Sequence, residues 1–200
     1  MIATVIRAAL LYSALLLPAT VQAFDLMQLQ SQLTAAAVVR GDFVQEKHLR
    51  ALPQPLVSDG DFVLASGKGM LWRLRRPLTQ TLRITTAGIS RQNPDGTWRP
   101  SANANGQESR LFLALLAGDA TGLSENFDLD LAGGPEDWRL TLTPSSALLR
   151  QIFTSIEVRG GKTITRIELR EAQGDRSVLR LLNTRTDTGL DDDEQRAYRH

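Results

Sequence analysis

The stretch Leu56–Ile89 (LVSDGDFVLASGKGMLWRLRRPLTQTLRITTAGI) constrains the fold more than any other part of the chain. Within it Phe62 and Leu64, then Met70, Trp72 and Leu74, then Leu82 and Ile84 alternate with polar or basic neighbours. Successive side chains of a strand point to opposite faces, so this alternation predicts strands with one apolar and one polar face. Gly67 and Gly69 around Lys68 predict a tight hairpin turn, and Pro77 ends the next strand. Such a meander must cover its apolar face with helices or present part of it to an apolar ligand.

The rest of the chain extends this pattern. Asp25 caps an amphipathic helix carrying Leu26, Leu29, Leu33 and Ala35–Ala37, which is expected to end near Arg40-Gly41. A strand is predicted over Asp42–Arg50, with Phe43, Gln45, Lys47 and Leu49 on one face, before Pro53 and Pro55 interrupt the chain. The strand through Ile84 is expected to run on to Gly88-Ile89. Asn93-Pro94-Asp95-Gly96 marks a turn, and Trp98 opens a short strand. Residues 100–106 are small and polar and read as a mobile loop. A second helix is predicted over Gln107–Leu116, its apolar stripe made of Leu111, Phe112, Leu115 and Leu116.

Two more alternating strands follow, one with Phe127, Leu129 and Leu131, the other with Trp138, Leu140 and Leu142, joined through Gly133-Gly134-Pro135. A short helix near Ser145–Ile152 precedes strands near Thr154–Arg159, Thr163–Glu171 and Ser177–Thr184. The segment 187–200, with its Asp191–Glu194 acidic run, is expected to be a disordered tail. The expected class is mainly β with α: a curved antiparallel sheet or incomplete β-barrel of nine or ten strands around two or three helices acting as lid or plug. Residues 24–186 form the expected single domain.

The first residues point to export. Arg7 precedes the apolar stretch Ala8–Ala19, which is too short to span a bilayer, and Val21-Gln22-Ala23 offers a signal-peptidase site. Residues 1–23 are therefore expected to be a cleaved signal peptide, with an uncleaved anchor as the alternative. Arg7 is the only charged residue among them, which leaves 22 basic and 22 acidic side chains in the rest of the chain. That balance argues against a nucleic-acid partner. Basic residues do gather at Arg73, Arg75, Arg76 and Arg83, either as a small basic patch or as solvated strand edges. The chain has no cysteine, so an exported domain of this size must rely on its apolar core.

A search for catalytic chemistry finds little. The two histidines are His48, on a strand row with Val44 and Glu46, and the terminal His200. There is no G-x-S-x-G elbow, and Asp191–Glu194 lacks the glycine and alternating spacing of a calcium loop. Ser66-Gly67-Lys68-Gly69 joins two strands and lacks the phosphate-loop pattern. Glu46, Glu157 and Glu168 lie on outward strand rows among polar neighbours. No enzyme activity, cofactor or metal is expected.

Several motifs occur in a recognisable order: Gly41-Asp42-Phe43-Val44-Gln45, then Gly60-x-Phe62, then Trp72 five residues before Pro77, then Leu82-Arg83-Ile84-Thr85-Thr86-Ala87-Gly88. Together they resemble the periplasmic outer-membrane lipoprotein-carrier (LolA-like) family, best over residues 26–92 and loosely to Thr184. The resemblance implies an incomplete barrel with helices as a lid over an acyl-chain cavity. It also implies a role shuttling lipidated cargo from an inner-membrane export complex to an outer-membrane acceptor. Typical members carry a basic residue and proline ahead of the tryptophan, where this chain has Ser66-Gly67-Lys68-Gly69. The resemblance is therefore to a divergent branch, whose cargo is a lipoprotein or another lipid.

On this reading Phe43, Phe62, Leu64, Met70, Trp72, Leu82 and Ile84 line the cavity, and Leu111, Leu115 and Leu116 on the second helix form the lid with Leu29 and Leu33 on the first. The same residues would also serve as an ordinary packed core. Burying an acyl chain is worth about 0.8 kcal/mol per methylene, so roughly fourteen carbons gain about 10 kcal/mol before ordering costs. The protein is expected to be a monomeric periplasmic carrier. The alternative is a non-enzymatic sensor or scaffold module of the same fold that binds a protein partner.

Overall fold

The computed structural model describes residues 24–101 and 106–199. The signal-peptide expectation lies outside these residues, as does most of the predicted 100–106 loop. Alternating segments give β1 (Val38–His48), β2 (Leu56–Ala65), β3 (Gly69–Arg76), β4 (Gln80–Thr85), β5 (Gly88–Gln92) and β6 (Trp98–Pro100) in the first half. The second half supplies β7 (Phe127–Gly134), β8 (Asp137–Pro144), β9 (Phe153–Gly160), β10 (Ile164–Glu171) and β11 (Arg176–Asp187). The helices are α1 (Leu26–Thr34), α2 (Gly106–Ala117), α3 (Ala120–Ser124), α4 (Ala147–Arg150) and α5 (Asp192–Tyr198).

All eleven strands join one sheet in the order β6-β5-β4-β3-β2-β1-β11-β10-β9-β8-β7. Every pairing is antiparallel. The two meanders meet where β1 pairs with β11, so the sheet stays open, with β6 and β7 as its free edges. The chain from β6 to β7 must travel from one edge to the other. Helices α2 and α3 lie on that crossing, and their Leu115, Leu116 and Leu123 enter the same core as the sheet's inner rows. This is the mainly-β open sheet with covering helices that the periodicity predicts.

Several elements differ in detail. The first helix stops at Thr34, not near Arg40-Gly41, and Val38–Gly41 belong to β1. Val38 and Val39 pair with Ala65 and Leu64 of β2, and they bury on opposite faces, which a helix would not allow. The strand through Ile84 does not run on to Ile89. It turns at Thr86-Ala87 into β5, where Gly88 has φ 140° and pairs with Thr85. Helix α3, capped by Asp119, has no counterpart among the predicted elements.

The largest correction concerns residues 187–200, which are not a disordered tail over the described positions. Asp187 ends β11, and 192–198 form α5. Asp191 accepts from the Glu194 N–H at 2.8 Å while the Glu194 side chain accepts from the Asp191 N–H at 2.9 Å, a reciprocal cap. The acidic run sits in the first helical turn, where carboxylates complement the helix dipole. Leu190, Ala197 and Tyr198 then pack on Val38, Val63 and Leu71, covering the outer face of the sheet.

Candidate functional site

The site begins with glycines. Phe43 lies directly across from Gly60, and Gly41 across from Phe62, so each ring on the inner face spreads over a residue with no side chain. A Cβ on Gly60 would stand 1.9 Å from the Arg73 carbonyl oxygen and 2.8 Å from the Phe43 ring, so the close approach requires glycine. Trp72 faces Phe62 across β2 and β3, and it stacks on Phe43 at 3.6 Å between centroids. Phe112 of α2 meets Trp72 edge-on at 6.2 Å and 83°, a direct contact between lid and wall.

The nine predicted site residues converge. Phe43, Phe62, Met70, Trp72, Ile84 and Leu115 are buried in one apolar cluster, and Leu64, Leu82 and Leu111 are half-buried against it. The other half of the sheet completes the cluster through Trp138, Leu142, Ile156, Val158 and Ile167. Most of this inner face is filled. A cavity of about 160 Å³ lies at one rim, between α1, α2 and the β2–β3 turn. Leu33, Ala36, Val39, Leu64, Leu113 and Leu116 form its apolar wall. Sequence reading missed Val39 and Leu113, although Val39 shares the odd-numbered inner row of Phe43. An apolar void of about 150 Å³ holds one benzene, so this cavity has room for a small apolar group only.

Helix α2 lies over the inner face of the sheet. It touches β4, β5, α1 and α3. Its Leu111, Phe112, Leu113 and Ala114 are only partly buried. The sheet beneath it runs on through β1–β11, which pair antiparallel with one irregularity between Arg40 and Asp42, and no described helix is long and apolar enough to cross a membrane.

The outer face carries charge rather than grease. The predicted basic cluster is largely neutralised: Arg73 pairs with Asp61 at 3.1 Å, Arg75 with Asp42 at 2.8 Å and Arg76 with Asp59 at 2.6 Å. Arg83 alone of the four finds no carboxylate among the described residues. It is buried over the Trp98 ring and donates from Nη1 to the Ala197 carbonyl at 2.7 Å. Burial pushes its pKa below the usual arginine value.

Arg40 also lies on this face, donating to Asp187 at 2.5 Å and to the buried Glu194 of α5. Burial raises the Glu194 pKa, but the Arg40 hydrogen bond, the Asp191 N–H and the charges of Arg40 and Arg73 carry it below the usual value. Glu168 is buried beneath Arg166, Arg170 and Arg176, the first two at 2.6 and 2.9 Å, rather than standing free on the outer row. His48 lies on the outer row beside Glu46 at 3.3 Å, away from the apolar face. No cluster of three metal-ligating side chains occurs among the described residues.

An open antiparallel sheet whose apolar inner face is covered by helices is the architecture of a lipoprotein-carrier-like protein. A family model described as "Outer membrane lipoprotein carrier protein LolA-like" matches residues 18–196, and the chain belongs to that family. A search of curated proteins finds no match. Among solved structures, a DUF1329 family protein from Desulfovibrio piger is 15% identical with a TM-score of 0.49, over 88% of this chain and 97% of that one. A LolA superfamily protein from Nitrosomonas europaea is 9% identical with a TM-score of 0.49, over 89% and 99%. The Pseudomonas aeruginosa MucA/MucB complex contributes a chain 16% identical with a TM-score of 0.48, over 84% of this chain and 58% of that one.

Proposed function

We propose that this protein is a periplasmic carrier that takes the acyl chain of a lipoprotein or another lipid beneath α2 and moves it between the inner and outer membranes. The observation that carries this reading is the half-buried α2 lying across an apolar face, with a cavity already open at its edge. Displacing α2 would expose Trp72, Leu82 and Ile84 to a chain, and each buried methylene would stabilise the complex by about 0.8 kcal/mol. A lid that must open also lets the cargo leave, which a permanently enclosed cavity would not. The chemistry is binding and release, and no side chain is assigned a catalytic role.

The test is native mass spectrometry and lipid extraction of protein taken from its own periplasm. Wild type is expected to carry lipid, and Leu113→Asp to bind it at least tenfold more weakly, because a carboxylate on the cavity wall costs more than about 1.4 kcal/mol. Leu113 is half-buried, so this variant is expected to fold, whereas a polar residue at the stacked Trp72 would collapse the core. Lipid-free wild type, with lipid supplied and none taken up, would sink the carrier. The filled inner face favours the second reading in that event, a non-enzymatic module that binds a protein partner.

A further inference from the structure

A second recess, of about 630 Å³, opens on the outer side of the same rim, between α5, the β4–β5 turn and β6. Three cations line it: Lys68, Arg83 and Arg199. Thr85, Ser90 and Ser101 contribute hydroxyl side chains to the wall, and among the described residues no Asp or Glu lines it. This is unusual for the outer face, where Arg40, Arg73, Arg75 and Arg76 each have a carboxylate. None of Lys68, Arg83 or Arg199 has a carboxylate oxygen within 4.0 Å among the described residues.

Arg83 is the informative member. A buried guanidinium without a counterion is costly, and such groups are ordinarily paired. Its partners here are one peptide carbonyl and the face of Trp98, which leave the charge uncompensated and most of its five N–H donors available. A phosphate suits these groups: a guanidinium binds it through two parallel hydrogen bonds, an ammonium binds it as a point charge, and hydroxyls complete the shell. The two recesses also share a residue. Lys68, at the tip of the β2–β3 turn, lines both the cationic recess and the apolar cavity.

We propose that the cationic recess binds the phosphate of an anionic lipid whose acyl chain enters the apolar cavity on the other side of Lys68. The acyl half of this inference rests on the carrier reading; the phosphate half does not. Ligand charge then selects the cargo at the rim, and the inner face only measures grease.

The test is calorimetric titration of the intact protein with dihexanoyl phosphatidic acid, with uncharged dihexanoylglycerol and with inorganic phosphate. Wild type is expected to bind the phosphatidic acid at least tenfold more tightly than the glycerol lipid, with the preference shrinking as salt rises. Lys68→Glu/Arg199→Glu changes two exposed side chains, so a normal thermal melt is expected together with loss of the tenfold preference. Inorganic phosphate binding that the double variant abolishes marks a site that also takes the free ion. Its absence, with the lipid preference intact, marks a headgroup site. Both outcomes support the recess. Equal affinity for charged and uncharged lipid, or a double variant that behaves as wild type, overturns it while leaving the carrier standing. Phosphate binding with no uptake of either lipid would instead remove the carrier and keep the recess.

Discussion

Phe43 and Gly60 show how individual residues specify this protein. Phe43 is fully buried, stacked on Trp72 and seated over Gly60. Phe43→Ala removes a packed ring from a site whose neighbours are fixed by the sheet, and about 3–5 kcal/mol of stability is expected to go with it in a urea melt. Gly60→Ala should be as damaging despite adding one methyl, because its Cβ would collide with the backbone of Arg73. On the outer face, Arg40→Ala would leave Glu194 buried with only Arg73 nearby, at 3.9 Å. Losing one partner of a buried pair costs about 3 kcal/mol, and the same melt measures it. The exposed pairs, such as Arg159 with Glu157, contribute far less by comparison, because solvent screens them.

At the scale of elements, α5 shows how a charged tail becomes structure. Its composition reads as solvated, yet the D-x-x-E spacing of Asp191 and Glu194 is a capping box, and Leu190, Ala197 and Tyr198 supply an apolar contact. Those signals are present in the sequence. Their weight comes from Arg40, which is 154 residues away in the chain. The pairing also makes the helix sensitive to pH. Glu194 titrates below its ordinary 4.5 when folded, so the unfolded chain takes up a proton first as pH falls. The stabilisation is therefore complete above the ordinary value and is lost as pH drops through the folded one. Hydrogen exchange of amides 192–199 is expected to be slow near neutrality and to accelerate, relative to the β1–β11 amides, below pH 4.5. In Glu194→Gln the exchange should be faster at neutral pH and nearly free of that acid step. Unchanged exchange down to pH 3 (about 1.5 units below the ordinary value) would show that the ion pair does not hold the helix.

For the whole molecule the decisive feature is one continuous sheet with helix α2 lying over its apolar face. If α2 is the lid, adding a lipid that the protein retains should alter hydrogen exchange over 106–117 while the β1 and β11 amides stay as they were. A uniform response across the molecule would instead point to global loosening. The alternation of Phe62, Leu64, Met70, Trp72, Leu82 and Ile84 determined by itself that one face of the sheet would be apolar, because side-chain direction in a strand follows from covalent geometry. The order of short motifs likewise sufficed to place the chain in its family. The sequence could not reveal whether that apolar face was open or filled, since the answer depends on how far α2 and the opposite half-sheet reach into it. Nor could it show that Arg73, Arg75 and Arg76 would be neutralised while Lys68, Arg83 and Arg199 would be left together. Charge pairing on this face runs across strands and from β1 to α5, and only the folded chain brings those partners within reach of one another.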